Sequence, residues 1–350
     1  MGTKFLDLNG LSHFWDKINE KKADKFPHAG EFDGKKLNNL FTNAAAFKAA
    51  VAAGDFSKIH VGDYWEIKLN GTFRDYGTYT VPSGKTYYSD AELTTQVGQT
   101  SSVYQGAYQS DTAVKITISS VDYYVATTDC LTYYERTCNN AVMLLEIAAI
   151  NPYWRYGDSG DLSGAKNHVL FVSRDCIPFT LRMRKGNSVW EDPTTLNPWT
   201  GSALYKTLND PDYGVVKLIQ ETDIGAYMYA GSDGNGMRYY GEKRDPITAT
   251  TSSGGWFSRG KLFLPTEDEI WGREIFTIRS YHGQKGLPIF DGSRRHISKG
   301  IGNGASRSAW WSMSAYAGSS TYFCNVDYSG NPSSNCASTS AGAPVCFLLS

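Results

Sequence analysis

Long apolar runs are missing from this 350-residue chain. The longest, Ala141 to Ile150, is interrupted by Glu146 and is about half the ~20 residues a membrane-spanning helix needs. The opening Met1-Gly2-Thr3-Lys4-Phe5-Leu6-Asp7 has no apolar segment of the signal-peptide kind, so a soluble protein made in the cytoplasm, with no membrane insertion, is expected. Excess charge of one sign is missing too. Lys and Arg total 34 against 35 Asp and Glu, a net charge of −1, which leaves no field to draw in nucleic acid. None of the six cysteines (130, 138, 176, 324, 336 and 346) forms a C-x-x-C pair or has a histidine pair nearby, which argues against zinc. They are read as free thiols, with a Cys130–Cys138 or Cys324–Cys336 bridge as the alternative in oxidising surroundings.

Catalytic signatures are equally scarce. No H-E-x-x-H or G-x-S-x-G occurs, and only His282 and His296 share a region. Gly255 to Leu262 approaches a phosphate-binding loop, but Leu262 stands where the magnesium-binding Ser or Thr belongs, and Pro265 interrupts the helix that should follow. Glu267-Asp268-Glu269 reads as a helix N-terminus, where carboxylates are favoured by the dipole, with Thr266 and Glu269 in capping-box register. Asp158-Ser159-Gly160-Asp161 and Asp233-Gly234-Asn235-Gly236 resemble pieces of calcium loops without the full ligand ladder. Glycine-rich Gly300 to Gly304 reads as turns. No catalytic residue, metal, cofactor or enzymatic activity is expected.

What is present is 23 Tyr, 9 Trp and 35 Gly, a mix that suits strands and irregular loops. Leu11, Phe14, Trp15 and Ile18 lie at helical spacing, which predicts a short N-terminal docking helix followed by a linker, together residues 1–34. Leu37 to Ala53 reads as a second helix ended by Gly54. Ile59 to Leu69, Val114 to Ile118 and His168 to Val172 read as strands. Residues 70–112 read as an inserted hairpin or long loop, and 186–260 as irregular.

The C-terminus is the most informative segment. From Ser308 to Ser350 the one charged residue is Asp327, yet the apolar anchors Trp310, Trp311, Phe323, Val326, Val345 and Phe347 recur through it. Disordered segments lack such anchors. Buried anchors with Tyr, Ser and Asn between them match the composition of antibody-type binding surfaces. The exposed face is assigned to Tyr316, Ser319, Ser320, Thr321, Tyr322, Asn325, Asp327, Tyr328, Ser333, Ser334, Asn335, Ser338 and Thr339.

Gly62-Asp63-Tyr64-Trp65-Glu66-Ile67, His168-Val169-Leu170-Phe171-Val172-Ser173-Arg174-Asp175, Lys261-Leu262-Phe263-Leu264-Pro265-Thr266-Glu267-Asp268-Glu269-Ile270-Trp271-Gly272 and Ser308-Ala309-Trp310-Trp311-Ser312-Met313-Ser314 stand in an order that resembles phage and gut-bacterial proteins with a C-type-lectin-like fold. The end of the chain is also similar to the variable region of targets of diversity-generating retroelements. There, adenine randomisation of Asn-type codons cannot yield Lys, Glu, Gln or Trp, and none of these occurs from Ser312 to Ser350. Relatives carry Leu-Arg after the Trp pair and Val-Arg-Pro near the end. Ser312-Met313 and Ala343-Pro344 replace them here, so the relatives' buried arginine contacts are expected to be absent. The opening Lys4 to Ile18 looks like the start of many phage tail proteins.

The resemblance implies an α+β, C-type-lectin-like domain over 35–350 with a variable-type region at about 305–345. It further implies a virion protein at the tail tip or fibre, displayed as a homotrimer and held to other tail components by its N-terminal helix. The diversified surface would adhere to a bacterial surface protein or glycan. A purely structural tail or baseplate component is the other reading. An enzyme on the same fold, a sulfatase activator or iron-dependent oxidase, would need a reactive cysteine pair or a histidine triad, and neither spacing appears.

Overall fold

The computed structural model describes residues 34–153, 167–186, 190–231, 233–245, 250–277, 286–290 and 297–350. Apolar residues alternate along the strand Tyr64–Asp75, so Trp65, Ile67, Leu69 and Phe73 are buried on one face. It pairs antiparallel with the 17-residue strand Tyr134–Ile150, with a register shift between Leu69 and Gly71. Val169–Ser173 pairs next, and Cys346–Leu349 closes this four-stranded sheet. Every residue of these last two strands is buried, so they read as continuous apolar runs rather than alternating ones. The helix Ala44–Ala53 lies against the sheet through Phe47, whose ring is 5.6 Å from Trp65 and 5.9 Å from Phe171. Gly54 at φ 74° ends it, as the sequence predicts, and Asn43 caps its start by accepting the Ala46 amide. Leu37–Leu40 is a separate short turn of helix, so the helix expected from Leu37 to Ala53 is broken in two.

Residues 70–112 do not form a long loop. Tyr79–Val81, Tyr104–Tyr108, Ala113–Ile118, Val121–Ala126, Thr86–Tyr88 and Gln96–Gln99 build a six-stranded antiparallel half-barrel in that order. Its small separate core consists of Tyr79, Val81, Val114, Ile116 and Val125. Tyrosine rings stand where aliphatic residues would have signalled strands. Residues 186–260 are also more regular than expected. They hold the helices Ala203–Asn209 and Val215–Gln220 and the hairpin Arg238–Arg244 with Thr251–Ser258. The first helix is announced by Ser202, whose Oγ accepts the Tyr205 amide at 3.0 Å.

These elements correct the expected fold class. The chain is mostly β, with 39% strand against 15% helix, arranged in several antiparallel sheets and the half-barrel; it is not an α+β C-type-lectin-like fold. The helices are too short to form a layer of their own, and Tyr-, Thr- and Gly-rich segments pair as hairpins instead of looping. The predicted N-terminal helix and linker lie outside the described residues.

A buried charge cluster joins the parts. Arg259 and Glu269, both 0% exposed, form an ion pair, and Arg259 Nη1 also donates to the Tyr153 hydroxyl at 2.8 Å. Glu269 belongs to the helix Glu267–Trp271, where Thr266 and Glu269 form the expected capping box. The other two acids of that helix are buried as well. Glu267 accepts the amides of Ile275, Phe276 and Thr277 at 2.8–2.9 Å, and Asp268 accepts the Thr266 hydroxyl at 2.6 Å. Burial, with the adjacent Glu269 carboxylate, pushes the Asp268 carboxyl up to about 7.

Two outcomes follow from this cluster. Glu269→Gln leaves the Arg259 charge buried without its counter-ion and should cost about 3–5 kcal/mol in urea denaturation. Because folding raises the Asp268 pKa from near 4, the stability it contributes is full below about pH 4 and is lost as pH rises through about 7. Asp268→Asn removes that dependence. The variant should therefore gain on the parent across this window, by about 1–3 kcal/mol at pH 8, in denaturation curves taken from pH 4 to 8.

Candidate ligand-binding site

The three-stranded antiparallel sheet Trp310–Ala315, Tyr322–Val326 and Pro332–Cys336 carries the candidate residues. Its first strand is buried along its whole length. Both indoles are fastened, Trp310 Nε1 to the Ile297 carbonyl at 2.8 Å and Trp311 Nε1 to the Leu181 carbonyl at 2.9 Å. Phe323, Val326, Val345 and Phe347 are buried with them. Ser312 and Ser314 are buried too. The Ser312 hydroxyl donates to the Cys324 carbonyl, and the Ser314 hydroxyl accepts the Glu267 amide.

The loop after this strand holds Tyr316, Ser319, Ser320 and Thr321. It is fastened chiefly through its main chain. Arg244, 2% exposed, donates Nη2 to the Tyr316 carbonyl at 2.8 Å and Nη1 to the Ser319 carbonyl at 3.4 Å. Arg184, 1% exposed, reaches the Ser320 carbonyl at 3.5 Å while its guanidinium stacks 4.1 Å over the Trp190 ring. The Ala317 amide donates to the Phe276 carbonyl, and the Ala337 amide to that of Thr321. These buried arginines come from elsewhere in the chain, Arg244 from the strand Arg238–Arg244 and Arg184 from the bend after Leu181–Arg182. Arg244 is itself fixed by Glu242 at 2.8 Å.

Side chains at this end are left at the surface. Ser320 is exposed, while Tyr316, Ser319, Thr321 and Tyr322 are half-buried. Tyr316 sits between Phe276 and Tyr322, with ring centroids 5.8 and 6.2 Å away. Ser338 and Thr339 adjoin them through the Ala337 contact, and all of 332–336, including Ser333 and Ser334, is half-buried along the sheet edge.

One assignment needs correction, and two others carry structural roles. Asn325 is 6% exposed and paired between Trp311 and Ser333, so it belongs to the interior; burial comes from its central strand. Asp327 builds the turn before Pro332, its Oδ1 accepting the Ser329 and Asn331 amides at 2.8 Å. Burial raises its carboxyl, but the hydrogen bonds from Asn331, Ser329 and Gly330 together outweigh this and leave it below the usual range. Asn335 spends its Oδ1 on the Cys336 amide and the Thr339 hydroxyl. The remaining residues form two ends rather than one patch. Tyr328, 69% exposed, lies at the far end of the strand Tyr322–Val326, roughly 13 Å from the Tyr316 loop.

Sequence reasoning missed Arg184, Arg244 and Phe276. A signal existed for one of them. Glu242 and Arg244 are two apart, and in a strand that spacing puts both on one face.

All six cysteines are unbridged. Among the described residues no group of three or more His, Cys, Asp or Glu could hold a metal ion, and no helix is long and apolar enough to cross a membrane. Asp233 accepts the Asn235 amide, as in an ordinary turn. Asp158 to Asp161, His282 and His296 lie outside the described residues.

The geometry defines a mostly β scaffold that presents loops from a rigid antiparallel sheet. Residues 167–350 match the family described as Domain of unknown function (DUF6273), and the chain belongs to that family. No curated protein and no solved structure matches it. The sheet, its loops, Arg184 and Arg244 all lie within the matched residues; the half-barrel lies outside them.

Arg244→Lys retains a charge beside Glu242 but loses the planar fork that reaches two carbonyls. It should cost about 1–3 kcal/mol. Amide hydrogen exchange should speed up over 316–321, while 323–326 stays protected.

Proposed function

We propose that the C-terminal sheet and its loops form a ligand-recognition face that attaches a phage tail to a bacterial surface protein or glycan. The carrying observation is the way Arg244, Arg184 and backbone amides hold the 316–321 loop by its main chain. Main-chain anchoring makes loop shape nearly independent of which side chains the loop carries. The loop residues Tyr316, Ser320 and Thr321 can thus change with the ligand, as diversification by a retroelement requires, and Tyr322, Tyr328, Ser338 and Thr339 complete the face. The phage setting is supported by the resemblance of the opening segment and the C-terminal module. One such face binds weakly, and trimeric display would add about 10²–10⁴ in avidity.

The test is retention of the full-length protein on a panel of bacterial cells. Tyr316→Ala and Tyr328→Ala should each weaken binding to a responsive strain by about 2 kcal/mol or more, some 30-fold, if they are binding hot spots. Their melting temperatures should stay close to the parent's. Retention on no strain, or retention indifferent to both changes, would instead favour a structural tail component.

A further inference from the structure

A second polar feature adjoins the Tyr328 turn. A cleft of about 350 Å³ opens there, within the roughly 300–1,000 Å³ of small-ligand sites. Ser298 lines it and touches the turn, since a Cβ on Gly330 would fall 2.7 Å from its Oγ. The other polar side chains are Arg174, Asp175, Asn303 and Arg307.

The frame of this cleft is stiff. The Asp175 carboxylate accepts the Gly300 amide at 2.8 Å and the Gly304 amide at 3.3 Å, curling the loop around itself. Gly302 and Gly304, at φ 81° and 74°, permit the curl. Beneath it, the fully buried Lys299 ammonium donates to the carbonyls of Ser173 and Arg174 at 2.7 and 3.0 Å. Glu146 holds the Arg174 guanidinium at 2.7 Å. In contrast, the Asn303 and Arg307 side chains make no hydrogen bond among the described residues, and the Ser298 hydroxyl is buried without one.

We infer that this cleft binds a saccharide unit through its hydroxyls. A sugar hydroxyl both donates and accepts. The cleft offers guanidinium donors in Arg174 and Arg307, a carboxylate with lone pairs to spare in Asp175, and groups of both kinds in Asn303 and Ser298. Arg174 is paired with Glu146 and Lys299 lies near Asp175, which leaves Arg307 as the charged lining group without an ion pair among the described residues. A neutral polyol sheds its water at smaller cost than an ion. The inference rests on the recognition reading above and narrows it, selecting a glycan over a protein surface.

The experiment is calorimetric titration of the full-length chain with neutral hexoses, N-acetylhexosamines and acidic sugars, with inorganic phosphate as a further probe. A single unit should bind with Kd on the order of 1 mM, and Asn303→Ala or Arg307→Ala should each weaken it about tenfold. Both residues sit at the surface, so unchanged melting would confirm that the variants fold. Binding of no sugar, binding indifferent to both variants, or binding of phosphate alone overturns the inference. Cell retention separates the two readings. Loss in Tyr316→Ala but not in the double cleft variant removes the saccharide site and keeps the face. Loss in the cleft variant, with competition by the titrated sugar, supports both.

Discussion

Everything around the C-terminal sheet is set by one buried ion pair, Arg259 with Glu269. Neither charge has access to water, so each must find partners inside, and those partners dictate geometry. Arg259 takes the Tyr153 hydroxyl and the Leu264 carbonyl, while its own carbonyl accepts the Trp199 indole N–H. Glu269 closes the capping box with Thr266. One helical turn is thereby pinned to the hairpin strand Thr251–Ser258 and to the core. From that turn Glu267 reaches across to gather the amides of 275–277. Phe276, held there, gives its carbonyl to Ala317 and its ring to Tyr316. A charge pair in the interior thus decides where a surface loop sits. Apolar residues of similar volume could match its stability but not its directionality.

The loop illustrates a division of labour between main chain and side chain. Carbonyls are the same in every residue, so an arginine that grips them fixes a path without specifying a sequence. Arg244 and Arg184 both do this from below, whereas the strand before the loop is held by its own side chains, the Trp310 and Trp311 indoles donating to the Ile297 and Leu181 carbonyls. The turn at Asp327 works in the opposite way. There a specific carboxylate shapes the backbone, so that position is structurally committed while its neighbour Tyr328 is not.

The half-barrel is a second solution to burial in the same chain. Its core is small, and tyrosines cover much of what aliphatic residues cover in the main sheet. Lys185 and Gly186 meet it from the main body, the lysine ammonium 5.2 Å from the Tyr79 ring and Gly186 against Tyr108. Any side chain on Gly186 would collide with Tyr108, so close approach of these two parts depends on that glycine.

Local pattern was enough for several elements. Period-two alternation over Ile59 to Leu69 marked the first half of the strand Tyr64–Asp75, Gly54 marked the end of Ala44–Ala53 but not its start, and Thr266 with Glu269 marked the start of the short acidic helix. The anchors Trp310, Trp311, Phe323 and Val326 were legible because apolar residues inside a polar stretch have no reason to recur unless they are buried. Fold class was not legible. Whether Tyr-, Thr- and Gly-rich segments pair or loop depends on strands distant in sequence, as the six-stranded half-barrel shows. The same limit hid the site. Arg184 and Arg244 reach carbonyls more than 70 residues away, Asn325 is buried by the strands on either side of it, and Arg174 and Arg307 line one cleft though far apart in sequence. Local spacing determined which residues were anchors and which were caps; only the packing of distant strands decided which polar side chains remained at the surface.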